Sequence, residues 1–193
     1  MHIPDLQSTI EYLDACGREL LEELRRCEPV LNRRAEPGAW SPAAVAMHLI
    51  RTELAMYPLF ALVPKLARWP RLLRGMDAVN RRLWLAMGMR TVEGVAGRVT
   101  AANPTAGRFM APSFLRPGSR KYRLERLLAR RRAMREKTLR AVRNADPAVL
   151  ARITWSHPLL GPYTLLEFVE FLGVHEQHHL PQIRRMREAA GIS

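Results

Sequence analysis

Residues 164–183 read TLLEFVEFLGVHEQHHLPQI, and this stretch decides the fold. Thr164, with Glu167 three residues later, forms a capping box and predicts that a helix begins here. His175 and His179 fall on the apolar face of that helix, and His178 lies at its rim. The other residues of this face are Leu165, Phe168, Leu172, Ile183 and Met186. The stretch therefore predicts an amphipathic helix that directs two imidazoles toward a core.

The spacing of these two histidines predicts a shared metal ion. On a helix, positions i and i+4 lie about 40° apart, so both imidazoles reach the same ion. Residues 175–179 also match H-E-x-x-H, the pattern of zinc metalloproteases, which take a third ligand from further downstream. No His, Cys or Asp follows His179, and Gln182 and Arg185 stand where the longer pattern needs Gly and His. Because only Glu188 remains, near a fraying helix end, we expect the third ligand upstream.

His48 is the upstream residue best placed to complete the group. Ser41 and Pro42 predict a helix start, with serine as the N-cap and proline in the first turn. His48 falls two turns into this helix, and at about 100° per residue it shares a side with four uncharged residues. These are Val45, Thr52, Met56 and Leu59. We therefore expect its imidazole to face the core.

Two blocks of the chain carry a resemblance to a known family. The first is Trp-Ser-Pro at residues 40–42 with Met-His-Leu at 47–49. The second is H-P-x-x-G at 157–161, followed by Thr164, Glu167 and the run H-x-x-H-H-x-x-Q-I at 175–183. With these motifs the chain resembles the DinB/YfiT-like superfamily of metal-binding four-helix bundles. The blocks cover about a third of the chain, and residues 58–118 show no family motif.

The resemblance implies a fold, a metal site and two reaction types. It implies an all-α four-helix bundle that binds a divalent metal, zinc or nickel, through His48, His175 and His179. The family includes thiol-dependent transferases and proteins described as hydrolases. Three neutral imidazoles leave coordination positions open for catalysis. We expect transfer of a low-molecular-weight thiol to a small electrophilic substrate. A metal-dependent hydrolase and a non-catalytic metal-binding or nucleic-acid-interacting bundle remain alternatives.

The sequence also predicts roles for three further residues near the histidines. Glu176 lies about 100° around the helix from His175, where it could accept a proton from a metal-bound water; an equal alternative is a solvated side chain. Trp40 is expected to pack its loop against the bundle. Gln182 is expected to bond a neighbouring backbone group or a ligand imidazole, which would fix that imidazole's tautomer.

Length and composition predict a single domain. The chain has 193 residues, of which 48% are hydrophobic, enough for one bundle core over residues 1–193. No signal peptide is visible at the N-terminus, and no run is apolar and long enough to span a bilayer. Cys16 and Cys27 lie about 16 Å apart along the first predicted helix, too far for a disulfide. Reduced thiols fit a cytoplasmic location.

The pattern along the chain predicts helices and almost no strand. We predict helix one over residues 5–27 and helix two from Ser41 to near Tyr57, where Pro58 kinks or ends it. A long insertion follows, with a helix near residues 72–87 and an irregular connection over 91–118. Helix three is predicted from a Ser119 cap to Asn144, and helix four over residues 164–189, bent by Pro181.

The net charge of +13 requires an explanation. Helix three carries a long basic stripe, but interleaved aromatics and nucleic-acid-binding motifs are missing, so we expect no tight binding to nucleic acid. The stripe comprises Arg120, Lys121, Arg123, Arg126, Arg130, Arg131, Arg132, Arg135, Lys137, Arg140 and Arg143. Such a surface can steer anionic thiols or substrates to the site. In residues 57–89 arginine is interspersed with Leu, Trp and Met. We expect these apolar residues to form a dimer interface, and contact with a membrane surface is the alternative.

Overall fold

The computed structural model describes residues 5–36, 38–91, 109–110, 112–118 and 120–192. Its α-helices are α1 (Leu6–Arg26), α2 (Pro42–Ala61), α3 (Pro70–Ala86), α4 (Leu124–Arg143), α5 (Pro147–Arg152) and α6 (Leu165–Glu188). Short 3-10 turns occupy Glu28–Val30, Val63–Leu66 and Ser113–Leu115. The long helices α1, α2, α4 and α6 pack together, chiefly α1 on α6 and α2 on α4. The predicted four-helix bundle is therefore confirmed.

The helices begin where local chemistry favours a start. Asp5 caps α1 by accepting from the Ser8 amide at 2.8 Å, and Ser41 caps α2 by accepting from the Ala44 amide at 3.2 Å. Thr164 and Glu167 make both bonds of the predicted capping box at the start of α6. Each cap satisfies an amide that has no partner within its own helix. The predicted starts of α2 and α6 are thereby confirmed.

The bundle core is divided along its length. One apolar cluster includes Leu13, Phe60 and Leu172, and a second includes Leu24, Leu49 and Leu127. Between them α2, α4 and α6 contribute buried charged side chains. These side chains are Glu53 on α2, Arg131 and Arg135 on α4, and Glu176 on α6, and α1 contributes the backbone carbonyl of Leu13.

Two helix boundaries differ from those predicted. Helix α2 runs through Pro58 to Ala61, because proline replaces only one amide and the last turn is still closed by the Leu62 amide bonding to the Pro58 carbonyl. Helix α4 begins at Leu124 with Arg123 as its N-cap residue, so its cap lies four residues after the predicted one. Ser119, predicted as its cap, lies outside the described residues. The predicted helix within the insertion is confirmed as α3.

Two short antiparallel hairpins were missed. Strands β1 (Arg90–Thr91) and β2 (Phe109–Met110) pair within the insertion, and β3 (Thr154–His157) pairs with β4 (Gly161–Thr164) before α6. In the second hairpin Trp155 lies opposite Tyr163, and both side chains are buried. Gly161 adopts a φ of 86°, a left-handed conformation that glycine allows. Strands of two to four residues are too short for an alternating pattern to be visible in the sequence.

Part of the predicted irregular connection, residues 92–108, lies outside the described residues. Among the residues that are described, no helix combines the length and the apolar character needed to cross a membrane.

Candidate metal centre

Three histidines from two helices meet near the middle of the bundle. His48 lies on α2, and His175 and His179 lie one turn apart on α6. The Nε2 atom of His175 lies 3.3 Å from Nε2 of His48 and 3.2 Å from Nε2 of His179. One ring nitrogen from each residue lies within 4.8 Å of the other two. The structure thus brings together the three residues that the sequence singled out.

Hydrogen bonds at the opposite side of two rings fix their tautomers. Nδ1 of His48 lies 3.1 Å from the carbonyl oxygen of Leu115, and Nδ1 of His179 lies 2.9 Å from Oε1 of Gln182. Both oxygens can only accept, so each Nδ1 carries the hydrogen and donates. Each Nε2 then presents a lone pair to the common centre. Such outer contacts orient the histidines of metal sites.

The arrangement of the Nε2 atoms suits a cation. If His175 carries a hydrogen on Nε2, that one hydrogen can bond well to only one of the two neighbouring lone pairs. The other neighbouring lone pair then lies close to a nitrogen that has no second hydrogen to offer it, and a positive ion at the centre would satisfy it. Zinc lies 2.0–2.1 Å from imidazole nitrogens, so two ligands at tetrahedral angles are about 3.3 Å apart. The two observed separations agree with that value.

Burial keeps the three imidazoles neutral. Burial lowers the pKa of His179 to about 4, with a further contribution from His48. Burial also lowers the pKa of His48, and it lowers that of His175 well below the ordinary value, assisted by the two neighbouring histidines. Neutral imidazole is the form that binds a metal ion, because protonation removes the lone pair. The site is therefore ready to coordinate a metal at neutral pH.

Aromatic side chains enclose the histidines. The ring of Trp40 lies 5.0 Å from that of His48 and 6.4 Å from that of His179, and Phe171 stacks on His175 at 5.8 Å. Trp40 therefore contacts two of the three imidazoles, and it also packs against the second apolar cluster. His178 is exposed, with its ring 5.3 Å from that of His179, and stays at the edge of the group. These rings restrict how water and substrates can approach the centre.

Glu176 lies about 100° around α6 from His175, in a buried network of charges. Its Oε1 accepts hydrogen bonds from Arg131 and from Arg135, the latter at 3.0 Å. Arg131 also donates to Glu53 at 2.7 Å, and Arg135 donates to Glu53 at 3.2 Å and to the Leu13 carbonyl. Glu176 is only 3% exposed, so the alternative of a solvated side chain is wrong.

The network corrects the prediction about the basic stripe. Arg131 and Arg135, counted as surface residues of helix three, are buried against the two glutamates. Burial, together with Arg135, lowers the pKa of Arg131 to about 9, so it remains charged near pH 7. Burial alone would raise the pKa of Glu53, but Arg135 and Arg131 hold it below its ordinary value. Two cations and two anions therefore balance inside the bundle.

The contact from Leu115 was not found by sequence reasoning. It comes from the 3-10 turn Ser113–Leu115, in the insertion where the sequence shows no motif. The contacting atom is a backbone carbonyl, which every residue type possesses, so no residue pattern could have signalled it. The contact of Gln182 with a ligand imidazole was one of two partners expected from the sequence, and it is the one observed.

Comparison with known proteins gives two matches that cover most of the chain. The model of the DinB superfamily matches residues 12–183. The chain is also similar to TT2238, whose crystal structure is described as that of a four-helix bundle protein. The two are 23% identical, with a TM-score of 0.55, and the similarity covers 94% of this chain and 99% of the other. At this identity the likeness shows the fold alone. No curated protein matches the chain.

Proposed function

Because the chain belongs to the DinB superfamily, a metal-binding superfamily, we propose that His48, His175 and His179 hold one divalent transition-metal ion, zinc or nickel. We further propose that the centre transfers a low-molecular-weight thiol to a small electrophilic substrate. The observation that carries the metal assignment is the convergence of three Nε2 atoms, two of them deprotonated by hydrogen bonds at Nδ1. The histidines would act as neutral ligands and leave coordination positions open.

The chemistry of the site supports a thiol supplied by a cosubstrate. When bound, the metal ion lowers the pKa of a coordinated thiol or water, so that a nucleophile is available near neutral pH. The protein's own thiols are poorly suited to this role. Cys16 and Cys27 are both buried, and burial raises the pKa of Cys16 and raises that of Cys27 to about 11. Neither is a thiolate at neutral pH.

The remaining contributions come from the residues around the histidines. Trp40 and Phe171 shield the centre, which protects a thiolate from water. The net charge of +13 favours the approach of an anionic thiol. A proton-acceptor role for Glu176 is retained as a prediction; it would have to use Oε2, since Oε1 bonds to Arg131 and Arg135. Hydrolysis of an ester or amide remains the alternative reaction at the same centre.

Metal analysis of purified variants tests the metal assignment. The wild type should retain close to one divalent ion per chain. His48→Ala, His175→Ala and His179→Ala should each lose most of it, while His178→Ala, a matched change on the same helix, should retain it. Wild-type protein that binds no zinc or nickel when either is added in excess would refute the proposal.

An assay of metal-loaded protein tests the reaction. A chlorodinitrobenzene or an epoxide is offered with and without several low-molecular-weight thiols, alongside simple ester and amide substrates. Turnover that requires both a thiol and His175 supports transfer. Cleavage of esters or amides without thiol would replace transfer with hydrolysis, and no turnover of any substrate by the metal-loaded protein would leave metal binding without catalysis.

A further inference from the structure

One side of α3 exposes a stripe of large apolar residues. Leu72, Val79 and Leu83 follow one another at intervals of seven and four residues, so they lie along one side of the helix. Their exposed fractions are 50%, 55% and 54%. The helix attaches to the bundle through the neighbouring side, where Leu73 is buried, Met76 packs against the core and Asp77 accepts hydrogen bonds from Ser156. We call the three exposed residues the α3 stripe.

Arginines border the α3 stripe on the side away from the bundle. Arg71 and Arg82 lie about 80–100° around the helix from Leu72, and both are exposed. Before the helix, the guanidinium of Arg68 lies 5.6 Å from the centre of the exposed Trp69 ring. Tryptophan is enriched at the boundary between lipid and water, where its amphipathic ring lies at the level of the headgroups.

The charge around this helix is almost entirely positive. Residues 54–91 contain seven basic residues and one acidic residue, Asp77. That carboxylate lies on the bundle side, where the Ser156 amide and hydroxyl donate to it at 2.8 and 2.7 Å. The α3 stripe thus has positive charges beside it, and no acidic residue of segment 54–91 lies on that side to balance them.

A partner for this surface must be apolar and negatively charged. Two copies of the chain joined through their α3 stripes would bring together two surfaces that both carry exposed arginines, so neither copy would supply a negative charge for the other's arginines from this segment. An anionic lipid surface satisfies both features, since acyl chains accept the aliphatic side chains and phosphates attract the guanidinium groups. The 17 residues of α3 make a helix about 25 Å long, which can lie along such a surface.

We propose that α3 binds the protein to an anionic membrane surface. The α3 stripe enters the boundary between headgroups and acyl chains, and Arg68, Arg71 and Arg82 contact lipid phosphates. This contact is peripheral, in keeping with the absence of a membrane-spanning helix among the described residues. It is independent of the metal centre and of the reaction proposed there.

Co-sedimentation of the full-length protein with large vesicles tests the proposal. Vesicles of phosphatidylcholine mixed equally with phosphatidylglycerol should bind the wild type, whereas pure phosphatidylcholine should bind it weakly. Reversing Arg71 and Arg82 together to glutamate should weaken binding at least about twentyfold. The control reverses Arg126 and Arg130, two exposed arginines of α4, and gives the same net charge. That control should bind nearly as the wild type does.

A second pair of variants tests the apolar contact. Leu83→Ser should weaken vesicle binding about tenfold, because it removes one inserted side chain. Leu85→Ser is its control, since Leu85 is 41% exposed but lies about 200° around the helix from Leu83. Because all substituted side chains are exposed, the fold should persist, and circular dichroism checks this.

Three outcomes would overturn the proposal. The first is an absence of binding to either kind of vesicle. The second is equal loss of binding in the α3 variants and their controls, which would indicate non-specific attraction to a basic protein. The third is a wild-type dimer, measured by light scattering, that Leu83→Ser dissociates while vesicles bind neither form. That result would assign the α3 stripe to a second copy of the chain.

Discussion

Replacing Glu176 with glutamine tests whether this residue holds the bundle together or takes part in the reaction. The carboxylate accepts hydrogen bonds from Arg131 and Arg135. Among the residues that the structure describes, Glu53 supplies the other negative charge of this buried network. Glutamine has nearly the same shape and can still accept through Oε1, but it carries no charge. The variant would leave two buried guanidinium groups facing one carboxylate.

The expected loss of stability follows from that imbalance. Removing one partner of a buried ion pair costs about 3–5 kcal/mol, and glutamine's retained acceptor places this variant near about 3 kcal/mol. For a chain of this length, each kcal/mol shifts the melting temperature by about 2–4 °C. We therefore expect Glu176→Gln to melt about 6–12 °C below the wild type. Glu136→Gln, at a pair whose glutamate is 73% exposed, should lose less than about 0.5 kcal/mol.

Thermal unfolding of the metal-free proteins measures this difference, and metal analysis and turnover are recorded on the same samples. If the role of Glu176 is to hold the bundle together, the variant should be less stable but keep a near-normal metal content, because the three ligands are unchanged. A Glu176→Gln protein that melts with the wild type but loses turnover would refute it. That result would support the proton-acceptor role instead.

Three further variants extend these expectations. Gln182→Ala removes the oxygen that orients a ligand imidazole and should weaken metal binding about 10–100-fold in a chelator competition, whereas Gln177→Ala on the same helix should not. Gly173→Ala would place a Cβ 2.7 Å from Cε1 of Tyr12. Urea unfolding should therefore show a net loss of stability of about 1–2 kcal/mol, although alanine has the better helix propensity. Unchanged stability would mean that the Tyr12 ring moves aside freely. Burial lowers the pKa of His157 to about 4. As the pH falls from about 6.5 to 4, the unfolded chain binds this proton before the folded chain does, so the free energy of unfolding should fall by up to about 3 kcal/mol. In chelator-treated protein, His157→Asn should lose less stability than the wild type over this pH range. Identical stability profiles for the two proteins would show that His157 does not cause the loss.

Sequence reasoning succeeded where the signal was local and periodic. The capping box at Thr164, the serine cap at residue 41 and the helical spacing of His48, His175 and His179 each depend on neighbours within a turn or two. Those features place the three imidazoles on core-facing sides, and the bundle then brings them together.

Features that depend on distant parts of the chain could not be predicted. Arg131 and Arg135 look like members of a solvated basic stripe, because their partners Glu53 and Glu176 are 41 to 82 residues away. Helical spacing places both arginines on the apolar face of α4 with Leu124 and Val142, a signal that could have marked them as buried but could not have named their partners. The hairpin of β3 and β4 is hidden for a different reason, since its strands have four residues each.

The bond from His48 to the Leu115 carbonyl ties the metal centre to the insertion through main chain alone. Residue 115 can therefore change in evolution without any effect on this bond, provided that the 3-10 turn keeps its path. Conversely, an insertion of different length could displace the carbonyl and change metal affinity while every ligand stays the same. Alanine scanning would not test the carbonyl itself, because alanine keeps it and removes only the buried side chain of Leu115. Grafting insertions from related chains onto this bundle, and following metal affinity, would reveal it.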